Sequence, residues 1–216
     1  TVRLYEAQGR FLRALGKGPA FLKVGFDAQG RLFGLQLRGN LTLFDPATGK
    51  VLAARPLSPY LFSAAQSPGG RVLALGLSVG RVEVWDLALP GKRREVRVPG
   101  GPVYALAFSP DGRYLAVGSA DGGVRLLDLL APGGPEPRLL YAHKDLPLGL
   151  AFSPDGRYLA SGGQDREVRL YDLDAGLLER VYVGHTGAVY GLDFNPQTPA
   201  LATGGGEGRV LLFRLP

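Results

Sequence analysis

With 45% apolar residues among 216, the chain can bury a core, and the absence of any apolar run of 18 residues excludes a membrane-spanning helix. The absence of cysteine excludes a disulfide framework and thiolate chemistry, and it leaves the compartment open between cytoplasm and export. The net charge of +6 is uneven: residues 1–58 carry nine Lys/Arg against three acids, while the remainder balances.

In chain order, residues 1–6 predict a strand closing on the aromatic–acid pair Tyr5-Glu6, and residues 11–16 predict another. A turn follows at 26–31, then a Val/Leu-alternating strand closing on Phe44-Asp45. The turn Ser67-Pro68-Gly69-Gly70-Arg71 precedes the closing pair Trp85-Asp86. The string Ala-Phe-Ser-Pro-Asp-Gly-Arg-Tyr-Leu-Ala then occurs twice, at 107–116 and 151–160, offset by 44 residues. In each copy an apolar run ends in Ser-Pro-Asp-Gly and a second run begins, which is a hairpin instruction. Proline presets φ, aspartate bonds the local backbone and glycine accepts φ > 0. Further closing pairs are Leu127-Asp128, Tyr171-Asp172 and Phe213-Arg214, so that successive second residues (6, 45, 86, 128, 172, 214) lie 39–44 apart.

The best-written unit predicts four strands, near 101–109, 113–118, 123–128 and 137–141. Thirty-three Gly and 17 Pro interrupt every apolar run, so no helix longer than a turn is expected. Short strands at such spacing mean an all-β fold, and a period of 40–45 residues with four strands per unit selects a β-propeller of four-stranded antiparallel blades.

The chain resembles the WD-repeat β-propellers over essentially its whole length. The residues that carry the resemblance are Gly184-His185, the Ser-Pro-Asp-Gly-Arg hairpins, Asp121 and Asp165 in the turns after second strands, and Trp85-Asp86. Residues 1–216 are therefore expected to form a single propeller domain with repeats ending near 45, 86, 128, 172 and 214. Five complete repeats predict five blades, with a larger ring as the alternative. Residues 11–16 fit as the outer strand completing the last blade beside 188–194, 200–204 and 209–215. Residues 1–6 are then a surplus third strand, as in a chain whose earlier sequence is missing or processed, or one that lost an initiator Met. Zero Met and two Asn suit a heat-adapted bacterium.

His143, Ser161 and Asp165 have the residue types of a hydrolytic triad. The resemblance implies instead a structural hydrogen-bond network inside one blade, with Tyr171 as its aromatic member. His185, Thr203, Glu207 and Phe213 repeat it one blade later. A nucleophile is not expected to recur blade by blade with its general base. No metal site is legible, since the two His lie 42 residues apart at equivalent positions, and no cofactor is expected.

The expected function is a non-catalytic protein-interaction scaffold. Its partner face, as the resemblance implies, comprises one alignment column (Leu22, Phe62, Tyr104, Leu148, Tyr190) and the neighbouring turns that hold Arg38 and Gln164. Alternatives are a small-ligand or hydrolytic propeller using the central funnel, or a regulatory domain of a larger protein. The expected partner is a protein or peptide. Nucleic acid is disfavoured because the basic residues of 1–58 are scattered without interleaved aromatics. A monomer is expected, with Arg3 and Glu6 blunting the edge of the surplus strand.

Overall fold

The computed structural model describes residues 2–5, 11–15, 20–88 and 92–216. No helix occurs among them, and so none is long and apolar enough to cross a membrane. β1 (Val2–Tyr5) and β2 (Phe11–Leu15) form a two-stranded antiparallel sheet of their own. The first blade is β3 (Phe21–Phe26), β4 (Leu32–Gln36), β5 (Asn40–Phe44) and β6 (Val51–Pro56). The second is β7 (Leu61–Gln66), β8 (Val72–Leu77), β9 (Arg81–Asp86) and β10 (Lys92–Arg97). The third is β11 (Val103–Phe108), β12 (Tyr114–Ser119), β13 (Gly123–Asp128) and β14 (Arg138–Ala142). The fourth is β15 (Pro147–Phe152), β16 (Tyr158–Gly163), β17 (Val168–Asp172) and β18 (Leu177–Tyr182). The fifth has β19 (Val189–Phe194), β20 (Ala200–Gly205) and β21 (Val210–Arg214). The fold is an all-β propeller of five antiparallel blades, whose inner strands β3, β7, β11, β15 and β19 neighbour one another in that order.

The repeated string explains its own hairpin. Gly112 and Gly156 take φ of 72° and 77°, a region that side chains disfavour. Ser109 Oγ accepts the Tyr114 amide at 2.8 Å and donates to Asp111, which also accepts the Arg113 amide at 3.0 Å. Arginine at the next position reaches across to the acid that closes the third strand. Arg71–Asp86, Arg113–Asp128 and Arg157–Asp172 pair at 2.9, 2.7 and 2.7 Å. The aromatic–acid marker is thus half of an ion pair that ties the hairpin of strands one and two to strand three.

The N-terminal pairing differs from the sequence expectation. Phe11–Leu15 pairs with Val2–Tyr5, and the last blade has three strands among the described residues. The connection between β1 and β2 is five residues, so the hairpin closes at small entropic cost. Pairing β2 with β21 would instead join segments nearly 200 residues apart. Thr1, Glu6 and Gly16 lie outside the described residues.

The core is divided among the junctions between blades. Phe33, Leu35, Leu41 and Leu43 of the first blade meet Leu61 and Leu73 of the second. Ala74, Val82 and Val84 of the second meet Val103, Leu106, Phe108 and Leu115 of the third. Ala116, Val124 and Leu126 meet Leu150, Phe152 and Leu159. Ala160, Val168 and Leu170 meet Val189, Leu192, Phe194 and Leu201. Each junction joins the trailing face of one sheet, built on its second and third strands, to the leading face of the next. A single blade buries one of its apolar faces only when its neighbour is present.

Candidate interaction surface

Every inner strand carries one residue too many for its partner. The register against the second strand slips between Phe21/Lys23, Leu61/Ser63, Val103/Ala105, Pro147/Gly149 and Val189/Gly191. The inserted residues are Leu22, Phe62, Tyr104, Leu148 and Tyr190, the column picked out from the sequence. A bulge turns its residue out of the pleat and re-aims the side chain. Phe62 is 43% and Tyr190 61% exposed, while Leu22, Tyr104 and Leu148 are half-buried. The Phe62 and Tyr104 rings meet edge to face, 5.1 Å between centroids.

A second periodic bond sets the turns beside this column. The amides of Leu37, Ser78, Ala120, Gln164 and Gly206 donate to the carbonyls of Ala20, Tyr60, Pro102, Leu146 and Ala188, at 2.8–3.1 Å. In each blade the turn after the second strand is thereby fastened to the loop leading into the inner strand. Arg38 and Gln164 are exposed in these turns, at the same end as the bulged residues. Val79, in the equivalent turn of the second blade, is 62% exposed, and the structure adds Leu37 and Tyr60, which are 44% and 74% exposed. Tyr60 holds a φ of 65°, uncommon for a bulky residue and a conformation that concentrates at binding sites. Nothing in the sequence marked it, because the conformation is imposed by the loop.

Polar networks lie beneath this end. His143 Nδ1 is 2.9 Å from Asp165 Oδ1 and its Nε2 is 2.6 Å from Ser161 Oγ. Asp165 also accepts the amides of Lys144 and Glu167 at 3.0 and 3.2 Å. Burial holds the His143 pKa below its ordinary value against the opposing pull of Asp165, which fits a neutral ring donating from Nδ1. The hydroxyl that donates to Ser161 Oγ, at 3.0 Å, is that of Tyr141, and Tyr171 stacks on Tyr141 at 5.4 Å. In the next blade His185 Nε2 is 2.7 Å from Thr203 Oγ1 and Nδ1 is 2.5 Å from Glu207, which also accepts the Gly187 amide. The hydrogen bond from His185 lowers the pKa of Glu207.

Two earlier blades carry other solutions. Ser58 Oγ and Trp85 Nε1 donate to the buried Glu83 at 2.6 and 3.0 Å. Arg125, also buried, pairs with Asp121. Their signal in the sequence is one charge inside an apolar strand, in Val82-Glu83-Val84 and Val124-Arg125-Leu126.

His143, Ser161 and Asp165 have the mutual distances of a catalytic triad. They differ from one in access. Ser161 is 0% exposed and His143 5%, and the Ser161 oxygen is hydrogen-bonded to two side chains. Among the described residues no group of three or more His, Asp or Glu is placed to hold a metal ion.

The family model for the WD domain, G-beta repeat, matches residues 93–128, 134–172 and 176–214. Each match runs from the fourth strand of one blade to the third of the next. No curated protein matches the sequence. Among solved structures 1750 chains match, so many that the architecture alone selects no function. One is a chain in the crystal structure of a mitotic checkpoint complex, 25% identical with a TM-score of 0.79. The alignment covers 90% of this chain and 60% of that one, so this chain spans less than two thirds of its neighbour's length. Repeats, blades and family match agree: the chain belongs to the WD40, or G-beta repeat, family.

Proposed function

We propose that the protein is a non-catalytic scaffold that binds a protein or peptide partner through the end of the propeller carrying the bulged residues. One observation carries the reading. The same inserted position recurs in all five blades, and in the second, third and fifth it is an aromatic aimed out of the sheet. Exposed aromatics flanked by polar turns are the composition of interface hot spots, and Arg38 and Gln164 supply the polar margin. Propellers of this family generally serve as interaction scaffolds, and the similar solved chain comes from a complex. A hydrolytic role is disfavoured because the hydroxyl and imidazole of both triad-like sets, His143–Ser161–Asp165 and His185–Thr203–Glu207, are buried and engaged in hydrogen bonds inside the protein.

The test is site-specific photo-crosslinking in cells, with a benzophenone side chain placed in turn at 62, 104, 190 and, at the opposite end, 110. The expected result is a discrete crosslinked polypeptide from 62, 104 and 190 and none from 110. Crosslinks from 110 alone, or from no position, would overturn the assignment of the face.

A further inference from the structure

The turn after each second strand contains one residue in the left-handed region. In the first, second, third and fifth blades it is Gly39, Gly80, Gly122 and Gly208, with φ of 80°, 68°, 82° and 79°. In the fourth blade it is Arg166, with φ of 67°. Left-handed backbone suits glycine and penalises a side chain, so the arginine is held there against its own preference. Tyr60 and Arg166 are the two non-glycine residues with positive φ among the described residues, and both stand in loops at the end that carries the bulged column. Strain of this kind clusters at ligand clamps and switch regions.

The exchange also opens the blade locally. In the first three blades the glycine carbonyl accepts an amide from the end of the fourth strand. Leu57 donates to Gly39 at 2.6 Å, Val98 to Gly80 at 2.8 Å and His143 to Gly122 at 2.9 Å. That contact leaves no room for a side chain, since a Cβ on those glycines would lie 2.2–2.8 Å from the carbonyl oxygens of Ser58, Val98 and His143. The Arg166 carbonyl accepts no backbone amide among the described residues. Between its turn and the chain leaving β18 lies a cleft of about 430 Å³, whose walls include Lys144, Gln164, Arg166, Val183 and His185.

The other charges of the cleft are engaged. Lys144 pairs with Glu167 at 3.0 Å, and Glu167 also holds Arg169 at 2.7 Å. Asp165 is held by His143 and two amides, and Asp145 accepts the Leu146 amide at 2.8 Å. Arg166 is exposed and makes no ion pair and no side-chain hydrogen bond among the described residues.

Given the partner face inferred above, on which this assignment rests, we propose that Arg166 binds an acidic side chain of the polypeptide partner. The carboxylate enters the cleft while apolar residues of the partner cover the bulged column. A guanidinium without internal partners presents a planar fork that meets a carboxylate in two parallel hydrogen bonds. Neither Glu167 nor Asp165 competes for it, because each is already held by its own donors.

The experiment pans a random linear peptide library, displayed on phage, against the immobilised full chain. Enriched sequences are expected to share an Asp or Glu beside apolar residues. A synthetic peptide of that consensus should lose about tenfold in affinity or more with Arg166→Gly, as for a charge-assisted pair. The peptide's amide form, Asn for Asp or Gln for Glu, should lose a similar factor against the parent and nothing further against Arg166→Gly. Urea denaturation of Arg166→Gly should give a midpoint at or above that of the parent, because glycine relieves the left-handed turn. No enriched sequence, a consensus without acid, an affinity that Arg166→Gly leaves unchanged, or a lowered midpoint would each overturn the assignment. A peptide sensitive to Arg166→Gly yet indifferent to Tyr104→Ala and Tyr190→Ala would sink the bulged column as the partner face and keep the acid-binding arginine. The reverse pattern keeps the face and removes Arg166 from it.

Discussion

Phe62 and Tyr104, 42 residues apart in sequence, meet edge to face because each is the bulged residue of its inner strand. The bulge recurs in all five blades, so the place of the aromatic pair is set by the repeat and not by one loop. Such contacts add roughly 0.5–1.5 kcal/mol beyond area burial. Tyr104→Ala should weaken binding of the crosslinked partner by about tenfold or more, as expected for truncating a hot spot. Thermal stability should change little, because Tyr104 is only half-buried. Calorimetric titration of parent and variant checks this, and unchanged affinity would remove Tyr104 from the interface.

The network below that surface should be a stability element. Asp165 accepts from His143 Nδ1 and from two amides, so Asp165→Ala orphans three donors at once. Leaving a buried group unsatisfied costs about 1–3 kcal/mol, and the expected loss lies at the upper end of that range. Urea denaturation measures it. An unshifted midpoint would mean the network contributes nothing net.

Much of this was legible because the repeat writes its own geometry. Ser-Pro-Asp-Gly-Arg specified the hairpin, and the spacing of Trp85-Asp86 and its equivalents specified the blades. The column of Leu22, Phe62, Tyr104, Leu148 and Tyr190 was visible by alignment. That it marks a bulge was not, since Val103-Tyr104-Ala105-Leu106 contains no polar residue to show a break in alternation. Glu83 and Arg125 drew no reading from the sequence, because a single charge in an apolar strand does not say whether it turns outward or inward to a buried partner. Tyr141 was missed as the hydroxyl on Ser161 for the same reason: its place on the fourth strand is set by pairing, not by spacing. The exposure of Val210 and Leu212 was invisible too, since they match Val168 and Leu170, their buried counterparts one blade earlier, in residue type.

Stability should fall with acid in two stages. His143 has a lowered pKa when folded, so the unfolded chain binds the proton first. Its contribution is complete above the ordinary value of about 6.5 and is lost as pH falls below it towards the folded value. Asp111, Asp155 and Glu207 are lowered chiefly by hydrogen bonds from Ser109, Ser153 and His185. Their contributions hold above the ordinary carboxylate range, near 4, and fade as pH drops through it to the folded values. Denaturation midpoints from pH 8 to pH 3 should therefore be flat, then decline in two steps, and His143→Gln should flatten the upper one. A midpoint that rises between pH 7 and pH 5 contradicts the neutral, buried ring.

The ion pairs at the opposite end should be lopsided. Arg157 is half-exposed and reaches Asp172 at 2.7 Å, whereas the Asp172 side chain is 3% exposed. Asp172 also accepts the amides of Asp174 and Ala175, each at 2.9 Å. Losing Arg157 leaves a carboxylate still held by two backbone donors and partly hydrated. Losing Asp172 frees both amides and the turn that follows β17, along with the arginine. Asp172→Ala should therefore lower the melting temperature more than Arg157→Ala, and the double variant should resemble Asp172→Ala alone, because the shared bond is already gone. Added salt should weaken the effect of Arg157→Ala and leave most of the Asp172→Ala effect, since screening acts on the exposed charge and not on the backbone bonds. Equal losses from the two single variants would show that the cross-strand ion pair, and not the capping of the turn, is what the closing acid supplies.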